Sequence, residues 1–234
     1  MQIVVRVRAS RLAIVALLAI TTLDPAAGDE PARPTAPIAL FDGRTLDGWK
    51  PVAGRRSGPV AVAVAVADGV LTLTAGEPMT GVTSTRADLP KTNYALSFEA
   101  KRTDGNDFFA AATFPVGSSF VTLVNGGWGG SVTGLSLING ASAAENATNH
   151  FVKYQNDVWY RFTIQVTDRV VRCLVDDREV FALDHADTQL KTRIENRANE
   201  PLGFASYRSS GAIRRVEVVG LNPDQIKEVN ARVE

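Results

Sequence analysis

From Ile38 onward apolar and polar residues alternate with a period of two, and no helical period is sustained before the last dozen positions. Val60 to Val66 alternates Val and Ala, which predicts a strand with one bulky face and one tightly packed face. Ala67-Asp68-Gly69 is a turn signal, and Val70 to Thr74 reads as the returning strand of a hairpin. In the next strand Tyr94, Leu96, Phe98 and Ala100 share one face, while Ser97, Glu99 and Lys101 share the other. Phe108 to Phe114 and Ser119 to Val124 are further apolar runs, with Pro115-Val116-Gly117 between them as a turn. The second half follows the same pattern. Trp159 to Val166 alternates, and Val170 to Val175 and Glu179 to Leu183 flank a turn at Asp176-Asp177-Arg178. Leu202 to Tyr207 and Ile213 to Val219 follow. A chain of roughly a dozen short strands broken by Gly, Asp, Asn and Pro predicts an all-β sandwich of two antiparallel sheets.

The two ends differ from this body. Asn222-Pro223-Asp224-Gln225 has the residues of an N-cap, a proline at the first helical position and a capping-box glutamine. Ile226, Val229 and Val233 then form an apolar stripe, so 222–234 is expected to be a short helix and tail. At the other end Arg6, Arg8 and Arg11 precede the apolar run Leu12 to Ile20, and Pro25-Ala26-Ala27-Gly28 supplies small residues for cleavage. That pattern predicts a signal peptide over 1–28, whose apolar run is too short to span a bilayer, and hence a secreted or periplasmic protein. A Pro-rich linker over 29–37 and a sandwich domain over 38–221 complete the expected organisation. The chain has 234 residues, a length that builds a core without disulfides; its one cysteine, Cys173, lies in a valine-rich strand and reads as a buried apolar residue. With 25 Lys+Arg against 25 Asp+Glu, charge gives no reason to expect nucleic acid or an anionic membrane as partner.

Three stretches resemble one family. Leu40-Phe41-Asp42-Gly43-Arg44-Thr45-Leu46-Asp47-Gly48-Trp49-Lys50 is similar to its opening phrase, Asp68-Gly69-Val70-Leu71 to a second, and Trp159-Tyr160-Arg161-Phe162 through Val175-Asp176-Asp177 to a third. These resemble the 3-keto-disaccharide hydrolase domain, over about residues 38–220. The Gly-rich block Gly126 to Ser131 resembles that of a planctomycete subgroup. The resemblance implies a concanavalin-A-like jelly roll of the lectin and glucanase kind. It also implies hydrolysis or elimination of glycosidic bonds in sugars oxidised at C3, where the ketone acidifies the hydrogen on C2. The chain departs from the family pattern at two places. The arginine that closes the phrase after the Glu-bearing strand is absent, and Tyr207-Arg208-Ser209 stands where a His-Gly is usual.

Candidate chemistry gathers in four segments. Glu99 and Lys101 share a polar strand face, where Glu99 is either a general base or one of a solvated neighbour pair. Asp104, Asn106 and Asp107 offer the oxygen ligands that Ca²⁺ or another divalent metal favours, or form an ordinary turn. In Asn125 to Gly134 glycines surround Trp128, whose indole is a stacking surface for a sugar ring or else a core side chain. Glu145 and His150 lie in a polar loop and form an acid/base pair if that loop folds over the sheet. Neither histidine has zinc-ligand spacing, and no nucleophile elbow or phosphate loop is present. Trp49 and Trp159 read as core. The resulting expectation is a carbohydrate-active domain with Glu99, Glu145 and His150 catalytic, and with Lys101, Asn125, Trp128 and Arg208 lining one hollow. The alternative is a non-catalytic carbohydrate-binding or structural module.

Overall fold

A computed structural model describes residues 36–53, 63–76 and 79–233, all within one compact unit, Arg33–Glu234. The segment expected to be a signal peptide, most of the linker and the start of the Val-Ala run lie outside the described residues. The strands are, in chain order, β1 (Ile38–Ala39), β2 (Trp49–Ala53), β3 (Val64–Ala67), β4 (Val70–Leu73), β5 (Thr80–Ser84), β6 (Tyr94–Gly105), β7 (Ala111–Val116) and β8 (Ser119–Gly126). Then come β9 (Val132–Ser136), β10 (His150–Phe151), β11 (Tyr160–Val166), β12 (Val170–Val175), β13 (Arg178–Asp184), β14 (Gly203–Ser206) and β15 (Ser209–Gly220). They form two antiparallel sheets. The first runs β13-β12-β11-β6-β15-β4-β3, with β1 also on β15; the second runs β10-β9-β8-β7-β14-β5-β2. The predicted two-sheet sandwich is the observed one.

Local chemistry explains the hairpins. Asp68-Gly69 and Asp176-Asp177 each form a two-residue turn with both φ angles positive, a geometry aspartate and glycine tolerate. The turn after β7 falls one residue later than the sequence suggests, at Gly117-Ser118, and Pro115 stays in the strand opposite Phe120. Its missing N–H costs nothing there, because β14 pairs with β7 only over 111–113 and leaves that side of Pro115 unpaired.

The core forms where the inner faces meet. Phe98 of β6 stacks on Phe162 of β11 with centroids 5.0 Å apart and meets Phe204 of β14 edge-on at 4.9 Å, so these three rings join the two sheets. Each ring of this size contributes about 2–3 kcal/mol on leaving water. Tyr94 donates its hydroxyl to the Pro115 carbonyl at 2.6 Å, and Trp49 donates its indole N–H to the Leu40 carbonyl at 2.8 Å. Trp49 is core as expected. Trp159 is not part of the core: it lies half-buried outside the first sheet, beneath the guanidinium of Arg214, whose Cζ is 4.0 Å from the ring centroid. Cys173 is fully buried, and burial pushes its thiol far above the usual range, as suits an inert apolar residue.

The helix α1 (Pro223–Asn230) starts at the Asn222–Gln225 capping box. It is pinned to the outer face of the first sheet by Arg172, which reaches Glu179 at 2.7 Å and Glu228 at 3.3 Å, while Arg232 reaches Glu179 at 2.8 Å. Partial burial raises the Glu179 carboxyl, but Arg232 and Arg172 more than offset it, so the net shift is downward. Stability from this pair is therefore present above the ordinary glutamate pKa and is lost as pH falls through the lowered value. Arg172→Ala is expected to lower unfolding free energy by about 2 kcal/mol at neutral pH, less than for a fully buried pair. Urea titration checks it, and the deficit should shrink at acid pH.

Candidate functional site

Strand parity sets which residues can share a site. In β6 the even-numbered side chains enter the core, so Glu99 and Lys101 point away from it on the first sheet. Both Glu99 oxygens are occupied there, by Arg214 at 2.7 Å and Arg215 at 2.7 Å. Burial pushes the Glu99 carboxyl up, yet the two guanidiniums leave it below its usual range. Lys101 lies over the Trp159 ring, its Nζ 5.3 Å from the centroid, and 3.6 Å from Asp157. Glu99→Gln is expected to cost about 1–2 kcal/mol of stability near pH 7 and much less near pH 3, measured by denaturant titration at both pH values.

The outer face of the second sheet carries a different surface. One row crosses it through Thr83, Gly203, Thr113, Thr122 and Ser136, paired in register from β5 to β9. Thr113 and Thr122 share a hydrogen bond at 2.9 Å, and they and Ser136 are fully buried. The chain's own segments roof this face. Thr148 stands over Gly134, where a Cβ would lie 3.0 Å from its hydroxyl. Asn199, at the end of the 3₁₀ helix Ile194–Asn199, stands over Gly81 and Gly203 and donates to the carbonyls of Val82 at 3.1 Å and Phe204 at 3.2 Å. Glycines at these positions let backbone and roof approach this closely.

An open cleft of about 380 Å³ remains beside the roof, within the roughly 300–1,000 Å³ of small-molecule sites. Asp107, Phe108, Val124, Trp128 and Tyr207 line it, with Met79, Arg193, Glu195 and Asn196 on the roof side. Phe108 and Tyr207 stack with centroids 5.6 Å apart, and Arg208 lies over Tyr207 with its Cζ 5.2 Å from the ring. The turn Gly126–Gly130 presents Trp128, which is 47% exposed and holds a left-handed φ of 50°. A bulky side chain in that region is strained by about 1–2 kcal/mol, and strain of this kind collects at working sites.

Two carboxylates face this cleft. Glu195 is 3.4 Å from Arg193, and its own amide and then Arg193 hold its carboxyl below the usual range despite partial burial. Asp107 accepts from the Phe108 amide through Oδ1 at 2.8 Å and, among the described residues, makes no ion pair.

The cleft thus collects Asp107 and Trp128, with Arg208 at its rim, from the expected set. Asn125 is buried, exchanging hydrogen bonds with Ala110 at 3.1 and 2.9 Å. Glu145 caps its own loop through the Ser142 hydroxyl at 2.5 Å, and Ser142 lowers its carboxyl. His150 is exposed on the edge strand β10, paired in register with Thr133, and its ring Nδ1 lies 3.3 Å from the Thr148 carbonyl, so each of the two finds its partner in its own loop rather than in the other. Asp104 and Asn106 are exposed, and among the described residues no group of three or more His, Cys, Asp or Glu could hold a metal. Met79, Phe108, Arg193, Glu195, Asn196 and Tyr207 were not legible as site residues. The one hint was 190–201, an Asn- and charge-rich stretch with no strand period.

Residues 36–219 match the 3-keto-alpha-glucoside-1,2-lyase-like domain. The chain belongs to that family. No curated protein matches it. Among solved structures, it is similar to domain 4 of AbnA, a GH43 extracellular arabinanase from Geobacillus stearothermophilus in complex with arabinotriose. The identity is 15%, with 84% of this chain and 98% of that chain covered and a TM-score of 0.51. It is also similar to the carbohydrate-binding module CBM66 from Bacillus subtilis, at 12% identity, 74% and 96% coverage and a TM-score of 0.50. A beta-1,3-glucanase from Mycobacterium marinum gives 12% identity, 81% and 100% coverage and a TM-score of 0.50. This lyase-like domain therefore has the jelly-roll fold found in both glycosidases and carbohydrate-binding modules.

Proposed function

We propose that this lyase-like domain is an exported protein that binds one sugar ring in the Trp128 cleft and cleaves 3-keto-glycosides there. The observation that carries this reading is one open cleft holding an exposed indole, an aromatic pair and a carboxylate that makes no ion pair among the described residues. The indole offers its face to the C–H groups of a pyranose, and Asn196, Arg193 and Glu195 offer polar contacts to its hydroxyls.

In the reaction, Asp107 takes the proton from C2 of the 3-keto sugar. The C2–H electron pair forms the C1=C2 bond, the C1–O bond breaks, and the departing oxygen takes up a proton to leave as the alcohol. Arg193, on the roof side of the same cleft, is assigned to favour the negative charge that spreads to the C3 oxygen. Later addition of water across the double bond gives net hydrolysis. The roofed sheet favours a short glycoside over a long chain, because the face that a polymer would lie along is covered.

Trp128→Ala is expected to weaken binding of a 3-keto-glucoside at least about tenfold, or ~1.4 kcal/mol, by calorimetry, with the thermal midpoint little changed. Unchanged affinity would exclude the cleft as the sugar site. Tight binding without turnover by the wild type would favour a binding module instead.

A further inference from the structure

We propose that Arg102 is the positioning residue of this cleft. Arg102 ends the core face of β6 and is 6% exposed. Its Nε donates to the Asn156 side-chain oxygen at 2.6 Å, its Nη2 to the Tyr154 carbonyl at 2.8 Å and its Nη1 to the Asp107 carbonyl at 3.5 Å. Its own carbonyl accepts from the Asp157 amide at 2.8 Å. Its Cζ is 5.9 Å from the centre of the Phe109 ring. The Trp128 turn rests on the same group: a Cβ on Gly130 would lie 3.2 Å from Nη1 and 3.0 Å from the Asn106 carbonyl. One guanidinium therefore hydrogen-bonds Asp107, the residue that carries the proposed base, and Tyr154 and Asn156 behind it, and it lies beside Gly130, which closes the turn that carries the stacking indole.

The charge of this group is unusual as well. A buried guanidinium normally sits against a carboxylate, because an unpaired one costs several kcal/mol in lost hydration. Among the described residues Arg102 has no such partner, and every acceptor it meets is neutral. The wall behind Asp107 is thus held together by a guanidinium that, among the described residues, has no carboxylate hydrogen-bonded or ion-paired to it. That charge favours the anion formed when C2 loses its proton, acting through the wall rather than by touching substrate. The catalytic part of this inference rests on the function proposed above; the structural coupling does not.

The test compares wild type, Arg102→Lys, Arg102→Gln and Asn156→Ala by hydrogen exchange and by turnover of a 3-keto-glucoside. In Arg102→Gln the amides of 106–108, 126–131 and 154–157 should together lose protection by at least about tenfold, while those of 95–99 keep theirs. Its kcat should fall by about 30-fold or more with KM within about threefold. Arg102→Lys should regain much of the kcat, since the charge returns, and little of the protection, since the three-way fork does not. Asn156→Ala removes one acceptor and should show the same pattern more weakly, which keeps the test decisive if Arg102→Gln does not fold. Protection lost in one segment only, or uniformly across the strands, overturns the coupling. Wild-type kcat in Arg102→Gln overturns the electrostatic role. A wild type without turnover sinks the proposed reaction, and the exchange pattern still decides for or against Arg102.

Discussion

Asp107→Asn is expected to lower kcat on a 3-keto-glucoside by about 10³-fold, while the protein stays folded and binds the sugar within about threefold of wild type. The amide keeps the shape and the hydrogen bond from the Phe108 amide, so structure is preserved. What is lost is the ability to accept a proton. Glu99→Gln is the informative comparison. Its carboxylate is clamped by Arg214 and Arg215 on the first sheet, away from the cleft, so turnover should remain within about twofold. Steady-state kinetics on the two purified variants decide between the faces. The opposite ranking would place the chemistry on the first sheet.

Gly211→Ala should destabilise the protein by about 3–4 kcal/mol. Gly211 sits at a register shift of β15, directly beneath the Phe109 carbonyl, and a Cβ there would collide with that oxygen. The obstructing atom is backbone, so no side-chain rotation relieves the clash. Because Phe109 follows the Asp107-Phe108 pair, the strain propagates to the cleft, and ligand affinity should fall with stability. Gly117→Ala is the control: nothing lies within 4 Å of its added Cβ, so only its φ of 58° is at stake, a cost of about 1 kcal/mol. Thermal melts of both variants check the contrast. Equal melting points would mean that β15 can move away from Phe109 at little cost.

Much of the fold was legible because a period of two reports a half-buried strand directly. The faces of β6, the Asp68-Gly69 and Asp176-Asp177 turns and the Asn222 cap all follow from local chemistry. The site was harder to read for a topological reason. Glu99 and Trp128 are both polar-face or loop positions in the sequence, yet pairing places one outside the first sheet and the other beside the second. Register between distant strands decides this, and no short window contains it. The roof is invisible for a related reason: 190–201 has no period, and its Asn199 matters only because Gly81 and Gly203 happen to lie beneath it. Phe108 looked like the start of an apolar strand, but the strand begins at Ala111 and leaves that ring free to face the cleft.

The most direct measurement is a crystal structure of the Asp107→Asn protein soaked with a 3-keto-glucoside. The predicted result is one pyranose ring against the Trp128 indole, with C2 facing residue 107 and hydroxyls in reach of Arg193 or Glu195. Density for the ring on the Glu99 face, or beside His150, would contradict it.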